Sequence, residues 1–250
     1  VGCSQSLDAS TKKYPKIPEE EKEFITPILE VETLDHQILS NATLAEDPTA
    51  SNLDYLIKKA IPRTCIVTAD RATSYYFFNW DYGIFCGTGF FISEDGYLLT
   101  AKHCISSAKD VFVFLPNQTD CQASIIAEHP ELDLAILKIE NTTDAPLPYF
   151  KLTPNHKLGD WAFTLRGKGY WPDSDYLNVW PSIGKILNSE EKNIIFSFGA
   201  VPGNSGSPVT NLNGDVISVL IQVNTEFGAS LGVPLTQETI DWITENLSNQ

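Results

Sequence analysis

The sequence has no stretch of about eighteen consecutive apolar residues, so no helix in it is long and apolar enough to span a membrane. Methionine is absent altogether, an initiator included, and the opening Val1-Gly2-Cys3-Ser4 reads as what remains after a signal peptide is removed. Basic residues are scarce: 17 Lys and Arg stand against 32 Asp and Glu, a formal charge of −15. That excess favours solubility and argues against a nucleic-acid backbone or an anionic membrane surface as partner. Neither the four histidines nor the five cysteines fall at zinc-ligand spacings, so no metal is expected, and nothing in the chain implies another cofactor. No internal repeat or low-complexity tract is present.

What is present begins with size. A chain of 250 residues can bury a core without special help, and one large domain, with or without an appendage, is the expectation. Residues 1–50 are polar and acidic, with Glu19, Glu20, Glu21, Glu23, Glu30, Glu32 and Asp35, and are punctuated by Pro15, Pro18, Pro27 and Pro48. They read as a solvated N-terminal extension to a main body over 51–250. Cys65, Cys86, Cys104 and Cys121 lie in that body, while Cys3 stands apart. An even set in a β-rich body suggests two disulfides and an oxidising, extracytoplasmic compartment; the four permit three pairings. Val1-Gly2-Cys3 resembles the end of a bacterial lipoprotein box, which would place a lipid anchor on Cys3, against a trimmed N-terminus with an incidental thiol. Four sequons, at Asn41, Asn117, Asn141 and Asn246, would carry glycans in a eukaryotic source.

Past Ser51-Asn52-Leu53-Asp54, which reads as a helix start with Leu53, Leu56 and Ile57 on one face and Pro62 as its end, the pattern turns to short β-type runs between turn signals. Expected strands are 64–68, 75–80, 89–92, 97–100, 111–115, 123–127, 134–139, 161–165, 179–187, 194–198, 207–210, 216–223 and 230–233. Asp95-Gly96 and Asn213-Gly214 mark hairpin turns. Ile240, Ile243 and Leu247 share one face of a closing helix from Thr236 to about Leu247. The strand count suits an all-β fold of two six-stranded barrels with a C-terminal helix.

Two segments carry chemistry. Gly203-Asn204-Ser205-Gly206-Ser207-Pro208 places a serine in a glycine-lined turn, and Thr100-Ala101-Lys102-His103-Cys104 supplies a histidine able to take its proton. A third group must orient that histidine, and Asp133 is suited to do so, because it enters the apolar strand Leu134-Ala135-Ile136-Leu137-Lys138-Ile139, where a buried carboxylate needs a specific partner. Asp120 is the alternative, and Asp110 also borders a loop. His36, His129 and His156 read as structural.

With the order histidine, acid, serine, the chain resembles the trypsin-like, chymotrypsin-fold serine peptidases, and more closely their compact bacterial branch related to the HtrA and glutamyl-endopeptidase groups. The matching blocks are 87–93 (GTGFFIS), 96–104 (GYLLTAKHC), 133–137 (DLAIL) and 203–208 (GNSGSP), within roughly residues 60–245. The resemblance implies two antiparallel barrels with a cleft between them and an endopeptidase acting on protein or peptide substrates. It assigns His103 as general base, Asp133 as its orienter, Ser205 as nucleophile, and the amides of Gly203 and Ser205 as oxyanion hole. It further implies disulfides Cys86–Cys104 and Cys65–Cys121. Asn204 departs from the family pattern, standing where digestive enzymes carry an aspartate that pairs with a newly cut N-terminus. Activation by terminal insertion is therefore not expected. Ser207 replaces a commoner glycine, and no PDZ-like segment follows the last helix.

The substrate pocket is expected between Phe198–Pro202 and the strand Val219–Asn224, with Gly199, Ala200, Val201, Leu220 and Gln222 contributing and Gly232 nearby. Small and apolar residues there imply cleavage after small or aliphatic side chains, and Glu226 is the acid that could alter this. The aromatic segment 166–176 is loop-like and would line subsites or pack on the second barrel. A non-catalytic binding protein on the same fold is the competing expectation, and a latent enzyme whose acidic extension covers the cleft is a third.

Overall fold

Twelve strands close into two antiparallel barrels among the residues that the computed structural model describes, which are 48–71, 84–116, 120–139, 146–166, 180–200, 203–224 and 228–248. The extension over 1–47, with Cys3, lies outside them, as do the expected strand 75–80 and most of the aromatic segment 166–176.

Helix α1 (Ala50–Ala60) leads in. Thr49 caps it, its hydroxyl accepting from Asn52 N at 3.3 Å, and Leu56 and Ala60 are its buried stripe. Pro62 cannot continue the helix and sits in a 3₁₀ turn before strand β1 (Thr64–Arg71). The first barrel adds β2 (Ile84–Phe91), β3 (Tyr97–Thr100), β4 (Ala108–Phe114), β5 (Asp120–Glu128) and β6 (Ala135–Ile139), closed in the order β1-β2-β3-β6-β5-β4. Short helix α2 (Lys102–Ile105) interrupts it between β3 and β4. The second barrel comprises β7 (Trp161–Arg166), β8 (Trp180–Ser189), β9 (Ile194–Phe196), β10 (Pro208–Thr210), β11 (Val216–Asn224) and β12 (Ala229–Pro234), closed as β10-β11-β12-β9-β8-β7. Helix α3 (Gln237–Ser248) follows. Gly96 and Gly214 make the two hairpin turns at φ values of 100° and 75°, where glycine avoids the strain other residues meet.

Strands at the junction of the barrels are buried on both faces, which explains their unbroken apolar runs. Phe91, Leu98 and Leu137 point into the first barrel, whereas their neighbours Phe90, Leu99 and Ile136 join Phe163, Leu165, Val216 and Val219 of the second in a shared core. Leu56 of α1 and Ile243 of α3 complete it. Each such large side chain contributes about 1.5–3 kcal/mol on burial. The buried residues Thr100, Ala101, Leu134 and Ser207 anchor the segments carrying His103, Asp133 and Ser205.

The expected disulfides are corrected by the strand phase: no disulfide joins Cys65, Cys104 or Cys121. On β2 it is Gly87 that faces Cys104, where an added Cβ would lie 2.5 Å from Cys104 Sγ; the side chain of Cys86 lies outside the described residues. Cys121 pairs with Val113, which pairs with Val67, so β4 separates it from the strand of Cys65. Burial drives the Cys65 thiol well above its ordinary pKa and keeps it protonated.

Candidate active site

His103 rides on α2, which begins where β3 leaves the barrel seam at the buried residues Thr100 and Ala101. Asp133 ends the loop before β6 and meets His103 twice. The His103 backbone N–H donates to Oδ1 at 2.8 Å, and the ring nitrogen Nδ1 lies 2.6 Å from Oδ2. With both carboxylate oxygens engaged, Nδ1 carries the proton shared with Asp133, and Nε2 is left to accept one from elsewhere.

The loop holding Asp133 is built around His129, which lies outside the motif blocks. Lys102 Nζ donates to the carbonyl of His129 at 2.7 Å, and the His129 amide donates to Leu134 O at 2.9 Å. His129 Nδ1 accepts from the amides of Glu131 and Leu132 at 3.2 and 3.0 Å, and its ring packs edgewise on Trp242 of α3, 4.7 Å between centroids. His129 is structural, as its sequence context suggests; that it braces the acid loop was not legible there. His156 Nε2 lies 2.8 Å from Ser189 Oγ, away from this site. The side chain of Asp120 and all of His36 fall outside the described residues.

Ser205 sits in a turn with left-handed glycines on either side, Gly203 at φ 94° and Gly206 at φ 87°. The first barrel clamps this turn: Thr88 N donates to Ser205 O at 2.8 Å, and Thr88 Oγ1 donates to Gly203 O at 2.8 Å. From the other side Gly206 N donates to Leu220 O at 2.7 Å. A Cβ on Gly206 would stand 1.9 Å from Thr88 O and 2.5 Å from Thr100 Oγ1. Gly206→Ala should therefore cost at least about 3 kcal/mol, the upper end of local backbone strain, read as a fall in the urea midpoint. An unchanged midpoint would show that the turn relaxes freely.

Ser205 Oγ donates to Ile221 O at 3.4 Å, longer than the usual 2.5–3.0 Å and thus a weak tether. Cys104 Sγ lies 3.8 Å from His103 Nε2 and 3.7 Å from Ser205 O, so the thiol sits beside the imidazole and under the serine. Burial of the imidazole disfavours its charge, but the Asp133 carboxylate and the Cys104 sulfur outweigh it and lift the His103 pKa to about 10. Burial likewise disfavours the Asp133 anion, and hydrogen bonds from His103 overcome this to hold the carboxyl below its usual range.

Of the expected pocket residues, Gly199 is exposed, Ala200 is 8% exposed, and Ser230 Oγ ties down the Phe198 carbonyl at 2.6 Å. Leu220 is buried in the second-barrel core, while Gln222 is exposed on β11. Val201 and Glu226 lie outside the described residues. A Cβ on Gly232 would meet Ser218 Oγ at 2.2 Å, so the packing of β12 on β11 leaves no room for a side chain there. Asn204 is 2% exposed, and its Oδ1 has no partner among the described residues. No group of three or more His, Cys, Asp or Glu suited to a metal occurs among them either.

Residues 87–219 match the family described as "Trypsin-like peptidase domain". Among similar proteins is one from Pseudomonas fulva, 32% identical over 149 residues, covering 59% of this chain and 31% of the relative; it is named "Probable periplasmic serine endoprotease DegP-like". Proteins of the same name from Hahella chejuensis and Marinomonas sp. are 31% identical over 149 residues and 33% over 151, each covering 59% of this chain and 32% of their own length. The chain spans about a third of the length of these relatives.

Proposed function

The chain belongs to the trypsin-like peptidase family, and we propose that it is a serine endopeptidase working through an acyl-enzyme on Ser205. The observation that carries this reading is the double contact of His103 with Asp133, which fixes the ring so that Nε2 is the accepting nitrogen. In the proposed cycle a turn about χ1 takes Ser205 Oγ from its weak bond with Ile221 O towards Nε2. The oxygen attacks the scissile carbonyl as the imidazole takes its proton. The amides of Gly203 and Ser205 bind the oxyanion, His103 passes the proton to the leaving amine, and water repeats the steps to release the acid. Asp133 stays ionised throughout and stabilises the imidazolium.

Residues 51–250 would be the peptidase domain and 1–50 its acidic extension. An extracytoplasmic location fits the periplasmic relatives, and protein substrates fit the family. Labelling by a fluorophosphonate probe, mapped to Ser205 by peptide mass, is the test. A chain that never labels under any condition would instead be a binding protein on this fold.

For the residue before the scissile bond, the small residues Gly199 and Ala200 suit small or aliphatic side chains. A peptide library should show that preference by about tenfold or more, the scale set by one or two methylenes in an apolar pocket. Strong selection for Arg, Lys or Glu would sink it.

A further inference from the structure

The two glycines flanking Ser205 are held by different means. Gly206 is hemmed in: Thr88 O, Thr100 Oγ1 and the Ala101 amide fill the place where a Cβ would stand. Gly203 has no atom of the described residues within 4 Å of where a Cβ would stand, so none of them fixes its backbone sterically on that side. Glycine tolerates both signs of φ, and the peptide planes beside such a residue turn at little cost unless a bond restrains them. The Oδ1 of the next residue, Asn204, makes no bond among the described residues that could restrain them. What does hold Gly203 is the hydroxyl of Thr88, reaching across from the other barrel to its carbonyl at 2.8 Å. Thr88 is itself fully buried, and its own carbonyl accepts from Thr100 Oγ1 at 2.8 Å, so the donor has a fixed base.

We propose that Thr88 is a positioning residue for the oxyanion hole, its hydroxyl locking the peptide after Gly203 and with it the ψ side of that residue, which fixes the Cα from which the Gly203 amide projects towards the substrate carbonyl. This rests on the endopeptidase reading for its consequence in catalysis, though the locking itself does not. Two bonds from one residue thereby set the turn on both sides of the nucleophile: the Thr88 amide through Ser205 O, the Thr88 hydroxyl through Gly203 O. Removing the hydroxyl leaves the first bond and the shape of the strand intact, because valine is β-branched like threonine and suits a strand.

Thr88→Val should lower kcat by about tenfold to a hundredfold, somewhat less than outright loss of a hole donor, with KM changed by less than about twofold since the bond serves the transition state. Affinity for a peptide boronic acid should fall by the same factor. Thr88→Ser, which keeps the hydroxyl, should restore both to within about threefold. Amide exchange at residues 203–206 should be about tenfold faster in the valine variant and return to normal in the serine variant. If valine does not fold, Thr88→Ala removes the same hydroxyl without adding a methyl and gives the same readouts. Unchanged kcat and exchange in Thr88→Val or Thr88→Ala, or a serine variant as impaired as valine, overturns the proposal. Should wild-type protein fail to turn over or label, the endopeptidase reading fails, and the exchange comparison still decides whether Thr88 locks the turn.

Discussion

Replacing Ser205 by alanine is expected to lower kcat on a good peptide substrate by roughly 10⁶-fold, the scale seen when the nucleophile of such a unit is removed. Fluorophosphonate labelling should vanish with it. The loss would be chemical, because among the described residues Oγ makes only the long bond to Ile221 O, while the turn is held by backbone contacts from Thr88 N, Gly206 N and Ser207 N that alanine retains. Stability should accordingly stay within about 0.5 kcal/mol of wild type, and substrate affinity within a few-fold. Residual turnover within a hundredfold of wild type, or labelling at another residue, would show that a different group attacks. Cys104 is the nearest such group, since its sulfur lies by the base. Its burial to 1% exposure beneath the turn keeps it from substrate.

Much of this site was legible because its parts are local. A glycine-lined serine turn, a histidine just past an apolar strand and an acid at the start of another each declare themselves within a few residues. The barrels were legible for the same reason: turn signals such as Asp95-Gly96 cut the chain at short intervals, and runs such as Phe90-Phe91 and Leu98-Leu99 fit strands covered on both faces. What escaped depends on which residues meet across long separations. Thr88 and Gly203 stand 115 residues apart, and a threonine in a strand gives no sign of whose carbonyl it will find. The disulfides failed on a finer point. Cysteine count and order say nothing of strand phase, and it is Gly87 whose Cα lies against Cys104. His129 was legible as structural, but its grip on the acid loop needed Lys102 and Trp242 to arrive from elsewhere in the fold.

Asp133→Asn should cost roughly 10⁴ in kcat, the size of effect expected when the imidazole is held in the wrong tautomer. The geometry here gives the reason. The His103 amide demands an acceptor at the Oδ1 position, so an asparagine must place its oxygen there and turn its NH₂ towards Nδ1. Nδ1 then accepts, the proton moves to Nε2, and the ring can no longer take one from Ser205. The same substitution should move the pH profile. The base works only when neutral, and the wild-type His103 pKa is raised from 6.5 to about 10. The wild-type kcat/KM should therefore climb with pH on the alkaline side of 6.5, and the limb should shift to lower pH once the carboxylate is gone. The sign for stability runs in step. The raised pKa of His103 stabilises the fold fully below 6.5, and that contribution fades as pH rises towards 10. The lowered pKa of Asp133 stabilises it above 3.8 and loses effect as pH falls through its folded value. Asp133→Asn should flatten both ends of a plot of urea midpoint against pH. A variant that keeps its limb in place, or loses less than tenfold in kcat, would mean that Asp133 anchors the loop without orienting the base.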